Sequence, residues 1–88
     1  MKTFYNNNYG VSIINNEFTR GVELAVLLGN ESMYIIVHEE VYDGLDDKDV
    51  DNIIIDVSSR KTLSDAEVAA IIEDDRKEME RYNNGEYN

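Results

Sequence analysis

The sequence predicts an α+β fold, in which a three- or four-stranded antiparallel sheet carries one C-terminal α-helix packed on a face. Three observations predict it: short runs of alternating apolar residues, turn-forming residues between those runs, and a helical period after residue 62. The length of 88 residues predicts a single domain over 1–88. Both ends, 1–9 and 83–88, are rich in Tyr, Asn and Gly, so we expect them to be loosely ordered.

The two best strand candidates are residues 22–28 and 33–42, and the turn-forming residues 29–32 separate them. We expect these two runs to pair as an antiparallel hairpin. A period of two places the apolar side chains of each run on one inward face, namely Val22, Leu24, Val26 and Leu28 in the first run and Met33, Ile35 and Val37 in the second.

Two further strands are predicted at residues 10–15 and 52–58. In the second of these runs Ile53, Ile55 and Val57 share a face by alternation, which favours a last strand of the sheet. The intervening residues 43–52 are polar and are expected to form a loop or a single helical turn.

Residues 62–85 have the pattern of a helix with a defined start. Ser64 is the candidate N-cap, and Glu67 three residues later completes a capping box. An apolar stripe at spacings of three and four follows, made of Val68, Ile71, Ile72, Met79 and Tyr82. The sequence Asn83-Asn84-Gly85 is expected to end the helix.

Composition restricts the function classes that this chain can serve. The absence of cysteine excludes disulfides, a thiolate nucleophile and Cys-ligated zinc. No apolar run is long enough for a membrane span, and the N-terminal sequence lacks the apolar segment of a signal peptide, so a cytoplasmic protein is expected. Nineteen acids against eight scattered bases give a net charge of −11, which disfavours both direct nucleic-acid binding and anionic membranes.

A metal site and a catalytic site both fit the sequence poorly. Asp47, Asp49 and Asp51 alternate like the first half of an EF-hand loop, but Asn52 and Ser58 stand where that loop needs glycine and glutamate. Weak cation binding at those aspartates stays open, while no dedicated metal or cofactor is expected. His38 is the only histidine and has no nucleophile partner, so we do not expect an enzyme.

The acids form two dense blocks, one over residues 39–51 and one over residues 73–80. The helical acids of the second block are partly offset by Arg76, Lys77 and Arg81, whereas Lys48 is the only base in the first block. A basic protein surface is therefore the expected partner. The candidate partner-binding residues are Glu39, Glu40, Asp43, Asp46, Asp47, Asp49, Asp51, Asp74, Asp75 and Glu78.

Carboxylates at these spacings can imitate the phosphates of a nucleic acid. In an extended strand, Asp47, Asp49 and Asp51 would be about 6.6 Å apart, close to two phosphate steps of about 3.4 Å. On a helix, acids four residues apart are separated by about 5–6 Å. Either arrangement fits a groove lined with Lys and Arg.

The chain resembles the small acidic proteins that bacteriophages encode against host defence, especially anti-CRISPR proteins that act as DNA mimics. The resemblance rests on size, the absence of cysteine, the Asn-rich composition and the acidic blocks EEVYDGLDDKDVD and EDDRKEME. It implies a stoichiometric inhibitor of a Cas nuclease, acting in the bacterial cytoplasm. Such an inhibitor would occupy the basic cleft that reads the protospacer-adjacent motif (PAM) or holds target DNA.

Two other interpretations remain open. One is a small acidic structural or assembly protein without a nuclease target, with homodimerisation through an edge strand or the end of the helix. The other is an acidic antagonist of a different basic enzyme, such as a restriction nuclease or a toxin.

Overall fold

A computed structural model of the chain describes residues 1–15 and 21–83, with side chains described up to residue 80. The strands lie in the order β1-β2-β3-β4, and each neighbouring pair is antiparallel. The α+β class and the antiparallel sheet are confirmed, but two helices follow the sheet where one was expected. The elements are β1 (Lys2–Phe4), β2 (Tyr9–Asn15), β3 (Val22–Asn30), β4 (Met33–Leu45), α1 (Asp47–Ser58) and α2 (Asp65–Asn83).

The predicted hairpin is present as β3 and β4. Asn30 pairs with Met33 across the turn, and its side-chain oxygen accepts hydrogen bonds from the Ser32 and Met33 amides at 3.0 and 3.2 Å. An asparagine side chain that accepts hydrogen bonds from the amides two and three residues later stabilises a tight turn. The predicted inward face holds for Leu24 and Val26, which are buried, whereas Met33 is exposed.

Strand β4 extends beyond its predicted end and contains a pronounced bulge. Leu27 pairs with Ile36 and Ala25 pairs with Val41, so β4 advances five positions while β3 advances two. Extra residues of this kind bend a strand and redirect its side chains. In β4 the extra residues lie beside Val37, whose side chain packs against the core.

The prediction of a strand at residues 52–58 is wrong, because these residues belong to α1. Residues 43–52, predicted to form a polar loop or a single helical turn, contain the end of β4 and the start of α1, a longer helix than predicted. Ile55, predicted to share a face with Ile53 and Val57, is 63 % exposed. The side chains that pack towards the core instead follow the helical spacing of three and four, and they are Val50, Ile53, Ile54 and Val57.

Helix α2 begins as predicted. The Ser64 hydroxyl accepts a hydrogen bond from the Glu67 amide at 3.1 Å, and the Glu67 carboxylate accepts one from the Ser64 amide at 3.2 Å. Val68 is fully buried and Ile72 is half-buried, but Ile71 and Met79 are exposed. The apolar stripe is therefore packed mainly near the start of the helix. The Tyr82 side chain and the predicted stop at Asn84 and Gly85 lie outside the described residues.

The core lies between one face of the sheet and α1. Val11, Leu24 and Val26 of the sheet form a buried cluster with Val57 of α1. By strand alternation, Ala25 and Leu27 face the opposite side, which we call the open face. Leu27 is fully buried even there, where the rings of Phe4 and Tyr34 pack with centroids 5.3 Å apart.

The N-terminal residues 2–9 are integrated into the sheet, contrary to the expected loose order over 1–9. Strand β1 pairs with β2 from Lys2 opposite Ser12 to Phe4 opposite Gly10. The Tyr5 amide then donates to the Tyr9 carbonyl at 2.8 Å, which closes the connection between the two strands. Of the predicted loose C-terminal segment, residues 84–88 are outside the described part of the chain.

Two asparagines in this connection bind the segment between the helices. Asn7 is buried, and its amide nitrogen donates to the Val57 and Arg60 carbonyls at 2.8 and 3.1 Å. Asn8 adopts a left-handed conformation with φ of 65° and donates to the Leu63 carbonyl at 2.7 Å. These bonds satisfy carbonyls at the end of α1 and before α2, and so position both helices on the sheet.

Candidate protein-binding surface

The ten candidate carboxylates divide into two groups in the structure. Four of them are engaged within the protein, namely Glu40, Asp46, Asp49 and Asp75. The other six are exposed and have no hydrogen bond or ion pair with residues 1–15 and 21–80, the part of the chain whose side chains are described. We call this group the exposed acids, and it consists of Glu39 and Asp43 on β4, Asp47 and Asp51 on α1, and Asp74 and Glu78 on α2.

Glu40 is held by Arg60, which follows α1. The guanidinium binds both carboxylate oxygens of Glu40, with one bond at 2.9 Å, and also binds Asp56 at 2.8 Å. It lies 5.3 Å from the centroid of the Tyr9 ring. The hydrogen bonds to Glu40 raise the pKa of Arg60 above its already high usual value, so the guanidinium stays charged. Glu40 thus joins the bulge of β4 to the end of α1 and is not free for a partner.

Replacing Arg60 with Met is expected to lower the free energy of unfolding by about 2 kcal/mol, because hydrogen bonds to a charged group contribute about 1.5–3 kcal/mol when partly shielded. Arg76→Met is the matched control, since Arg76 also binds two carboxylates. Its side chain is 55 % exposed, against 24 % for Arg60. Exposed pairs contribute about 0–1 kcal/mol. Urea denaturation measures both variants, and equal losses would contradict a special role for Arg60.

Asp46 and Asp49 form the capping box of α1. The Asp46 side chain accepts a hydrogen bond from the Asp49 amide at 2.8 Å, and the Asp49 side chain accepts one from the Asp46 amide at 3.3 Å. Each bond satisfies an amide that the helix itself leaves unpaired. These two acids therefore serve the fold, and changes at either position affect stability as well as any partner.

The helical form of α1 also alters the spacing on which the DNA comparison depends. The extended arrangement of Asp47, Asp49 and Asp51 does not occur, because all three lie in the helix. Asp47 and Asp51 are four residues apart and share one side of it, about 6 Å from each other, whereas Asp49 bonds back towards Asp46. Asp74 and Glu78 form a second pair with the same spacing on α2.

The second acidic block is partly neutralised, as the sequence predicts. Arg76 binds Glu73 and Glu80, and its hydrogen bond lowers the pKa of Glu73. Asp75 lies near the sheet instead, with its Oδ1 3.6 Å from Nε2 of His38 on β4. The proximity of His38 and Asp75 was not predictable from local sequence, because it depends on how α2 crosses β4.

Within residues 1–15 and 21–83, no group of three or more His, Asp or Glu side chains is placed to hold a metal ion. The EF-hand comparison fails for a geometric reason. Asp47, Asp49 and Asp51 occupy the first turns of a helix, so Asp49 lies on a different side of its axis from Asp47 and Asp51.

The open face of the sheet contains an apolar cleft that was not predicted from the sequence. The cleft has a volume of about 350 Å³. Its apolar lining includes Ile14 of β2, Ala25 of β3, and Ile36 and Val41 of β4, while Glu23 and Asp43 contribute carboxylates. No lining residue belongs to α1 or α2. The signal was the position of Ile36, which alternates with the predicted inward residues Ile35 and Val37.

In the described ranges, neither helix is long and apolar enough to cross a membrane. Comparison of this chain with protein-family models, with curated proteins and with solved structures finds no match.

Proposed function

We propose that this protein is a non-enzymatic inhibitor that binds the basic DNA- or PAM-reading cleft of a Cas nuclease as a DNA mimic, in the bacterial cytoplasm. The observation that carries the proposal is the set of six exposed acids, which have no partner within residues 1–15 and 21–80 of a chain with a net charge of −11. Carboxylates that are not neutralised internally are available to Arg and Lys of another protein.

The geometry of the two helical pairs supports mimicry. Asp47 with Asp51, and Asp74 with Glu78, are pairs at four-residue spacing, for which Cβ atoms on one side of a helix lie about 5–6 Å apart. Phosphates along one DNA strand recur about every 3.4 Å of helix rise, so each of these pairs lies close to two phosphate steps. A groove shaped for phosphates can therefore accept these pairs. Long-range attraction between the acidic chain and the basic groove would also accelerate their association.

The test compares two triple variants that remove the same charge. Asp43→Asn/Asp47→Asn/Asp51→Asn removes three exposed acids, while Glu31→Gln/Glu73→Gln/Glu80→Gln removes three carboxylates outside the predicted site. We expect the first variant to inhibit target-DNA cleavage about 30-fold less well, since each lost interfacial charge costs roughly 0.5–1 kcal/mol. The second variant should weaken inhibition less than about threefold, because it reduces only the long-range attraction between the acidic chain and the basic groove.

Inhibition is measured with a panel of purified RNA-guided nucleases, at low and at high salt, after urea denaturation has shown that both variants fold. Equal inhibition by the two variants would contradict site-specific mimicry. If no RNA-guided nuclease in the panel is inhibited, but a restriction nuclease or a toxin is, the target class is wrong and the acidic antagonist remains.

A small acidic assembly protein is the second candidate, and the length of β4 favours it. Among the described strands β4 is at one edge of the sheet and contains 13 residues. An edge strand presents unpaired backbone groups that can extend a sheet into a second copy. Sedimentation equilibrium distinguishes the candidates, since a concentration-dependent dimer with no effect on any nuclease would favour assembly.

A further inference from the structure

We propose that the cleft on the open face is the anchoring site for the partner, and that it takes one aliphatic or aromatic side chain flanked by Lys or Arg. The basic character of the partner rests on the proposed function. The apolar anchor is an additional inference, and it assigns a binding role to residues outside the exposed acids, apart from Asp43.

The shape and lining of the cleft indicate an apolar occupant. Ile14 and Val41 are 53 % and 57 % exposed on the side of the sheet that the helices leave open, and Ile36 lies beside them. Ile36 and Val41 flank the bulge of β4. A concave, mainly aliphatic surface with a few polar groups at its margin is the usual form of a binding pocket.

The charges around the cleft distinguish among occupants of this kind. Glu23 and Asp43 contribute carboxylates to its lining. In a two-fold dimer through this face, the same residues of both copies would approach each other, and each copy carries a net charge of −11. Like charges brought together in an interface are costly. A partner with Lys or Arg beside its apolar side chain would instead pair with the carboxylates while it covers the isoleucines.

Asp43 links this cleft to the acidic surface. It lines the cleft and is also one of the exposed acids, and Glu39 lies on the same strand. Charges commonly govern the rate of encounter, whereas a buried apolar anchor governs the lifetime of the complex. The two features would thus act in succession on the same partner.

The test uses two synthetic seven-residue peptides as probes, both with a pair of lysines on each side of a central residue. That residue is leucine in one peptide and alanine in the other, so their charges are identical. We expect the leucine peptide to bind about tenfold more tightly, since burying the larger side chain contributes roughly that factor. In two-dimensional NMR, the amide shifts should concentrate at residues 12–14, 23–25 and 36–43.

Ile14→Ser/Val41→Ser should abolish the preference for leucine. Ile55→Ser is the matched control, because Ile55 is 63 % exposed on α1 and does not line the cleft. It should change the affinity for either peptide less than about twofold. Equal binding of the leucine and alanine peptides to the unmodified protein would overturn the anchor. So would a dimer in sedimentation that Ile14→Ser/Val41→Ser dissociates, since the occupant would then be a second copy.

Nuclease inhibition by the same variants separates this inference from the proposed function. Inhibition that survives Ile14→Ser/Val41→Ser at full strength would overturn the anchor alone. A clear preference for the leucine peptide, in a protein that inhibits no nuclease, would overturn the proposed function and leave the anchor in place.

Discussion

Replacing Asn7 with Ala is expected to lower the free energy of unfolding by about 3 kcal/mol. The amide nitrogen of this buried side chain donates to the Val57 and Arg60 carbonyls, and its oxygen accepts a hydrogen bond from the Tyr9 amide at 3.1 Å. Alanine makes none of these bonds. A buried polar group left without a partner costs about 1–3 kcal/mol, and Asn7→Ala affects three such groups that lie wholly or partly out of water.

Asn6→Ala is the control, because Asn6 is exposed and precedes Asn7 in the same turn. Surface changes of this type usually alter stability by less than about 0.5 kcal/mol. Urea denaturation followed by circular dichroism gives both values. A loss for Asn7→Ala no larger than that for Asn6→Ala would show that Asn7 does not hold the helices to the sheet.

Replacing Gly29 with Ala is expected to cost at least about 3 kcal/mol, from two causes that add. Gly29 has a φ of +128°, in a region that residues with a side chain rarely adopt, and such strain costs about 1–3 kcal/mol. A methyl group there would also lie 2.7 Å from the Tyr34 Cα and still closer to the Met33 carbonyl oxygen. Both obstacles are backbone atoms of the paired strand, so relief requires the hairpin itself to shift.

Gly44→Ala separates the two causes. Gly44 has a φ of +65°, in the ordinary left-handed region, and it is exposed near the end of β4. Alanine at this position should cost about 1–2 kcal/mol from backbone strain alone. Thermal and urea unfolding of both variants measure the difference. Similar losses at Gly44 and Gly29 would contradict the predicted clash with β4.

The hairpin and α2 were predictable because their signals are local. Turn residues between two alternating runs specify β3 and β4, and the Ser64–Glu67 capping box specifies where α2 begins. Each signal depends on neighbours within a few residues in the chain. The bulge of β4 left no such local signal, since it accompanies packing against elements more distant in sequence.

Helix α1 was missed because its sequence satisfies two periods at once. Ile53, Ile55 and Val57 alternate as in a strand, and their β-branched side chains favour that interpretation. The spacing of Val50, Ile53, Ile54 and Val57 was equally visible as a helical stripe. The pattern Asp46-x-x-Asp49 before it was a helix start, but it was interpreted as surface charge. The capping residues Asp46 and Asp49 therefore indicate the helix more reliably than the spacing of the apolar residues does.

The candidate site was predictable in composition but not in arrangement. Sequence identifies every carboxylate, yet it does not show that Glu40 pairs with Arg60, 20 residues away, or that His38 meets Asp75. Those contacts depend on how the helices cross the sheet. The asparagines of the N-terminal turn were misinterpreted for a similar reason, because an Asn-rich segment is loose only when its side chains have no distant partners.

The bonds of Asn7 and Asn8 have a consequence for the order of folding. They join positions separated by 50 to 57 residues, from the first turn of the chain to the segment between the helices. Loops of that length close slowly, and contacts distant in sequence delay the rate-limiting step. During synthesis, the hairpin of β3 and β4 can form early, while the bonds of Asn7 and Asn8 form only after the end of α1 and the start of α2 have left the ribosome. Refolding should accordingly be slower than local helix formation, and Asn7→Ala should accelerate unfolding more than it slows folding.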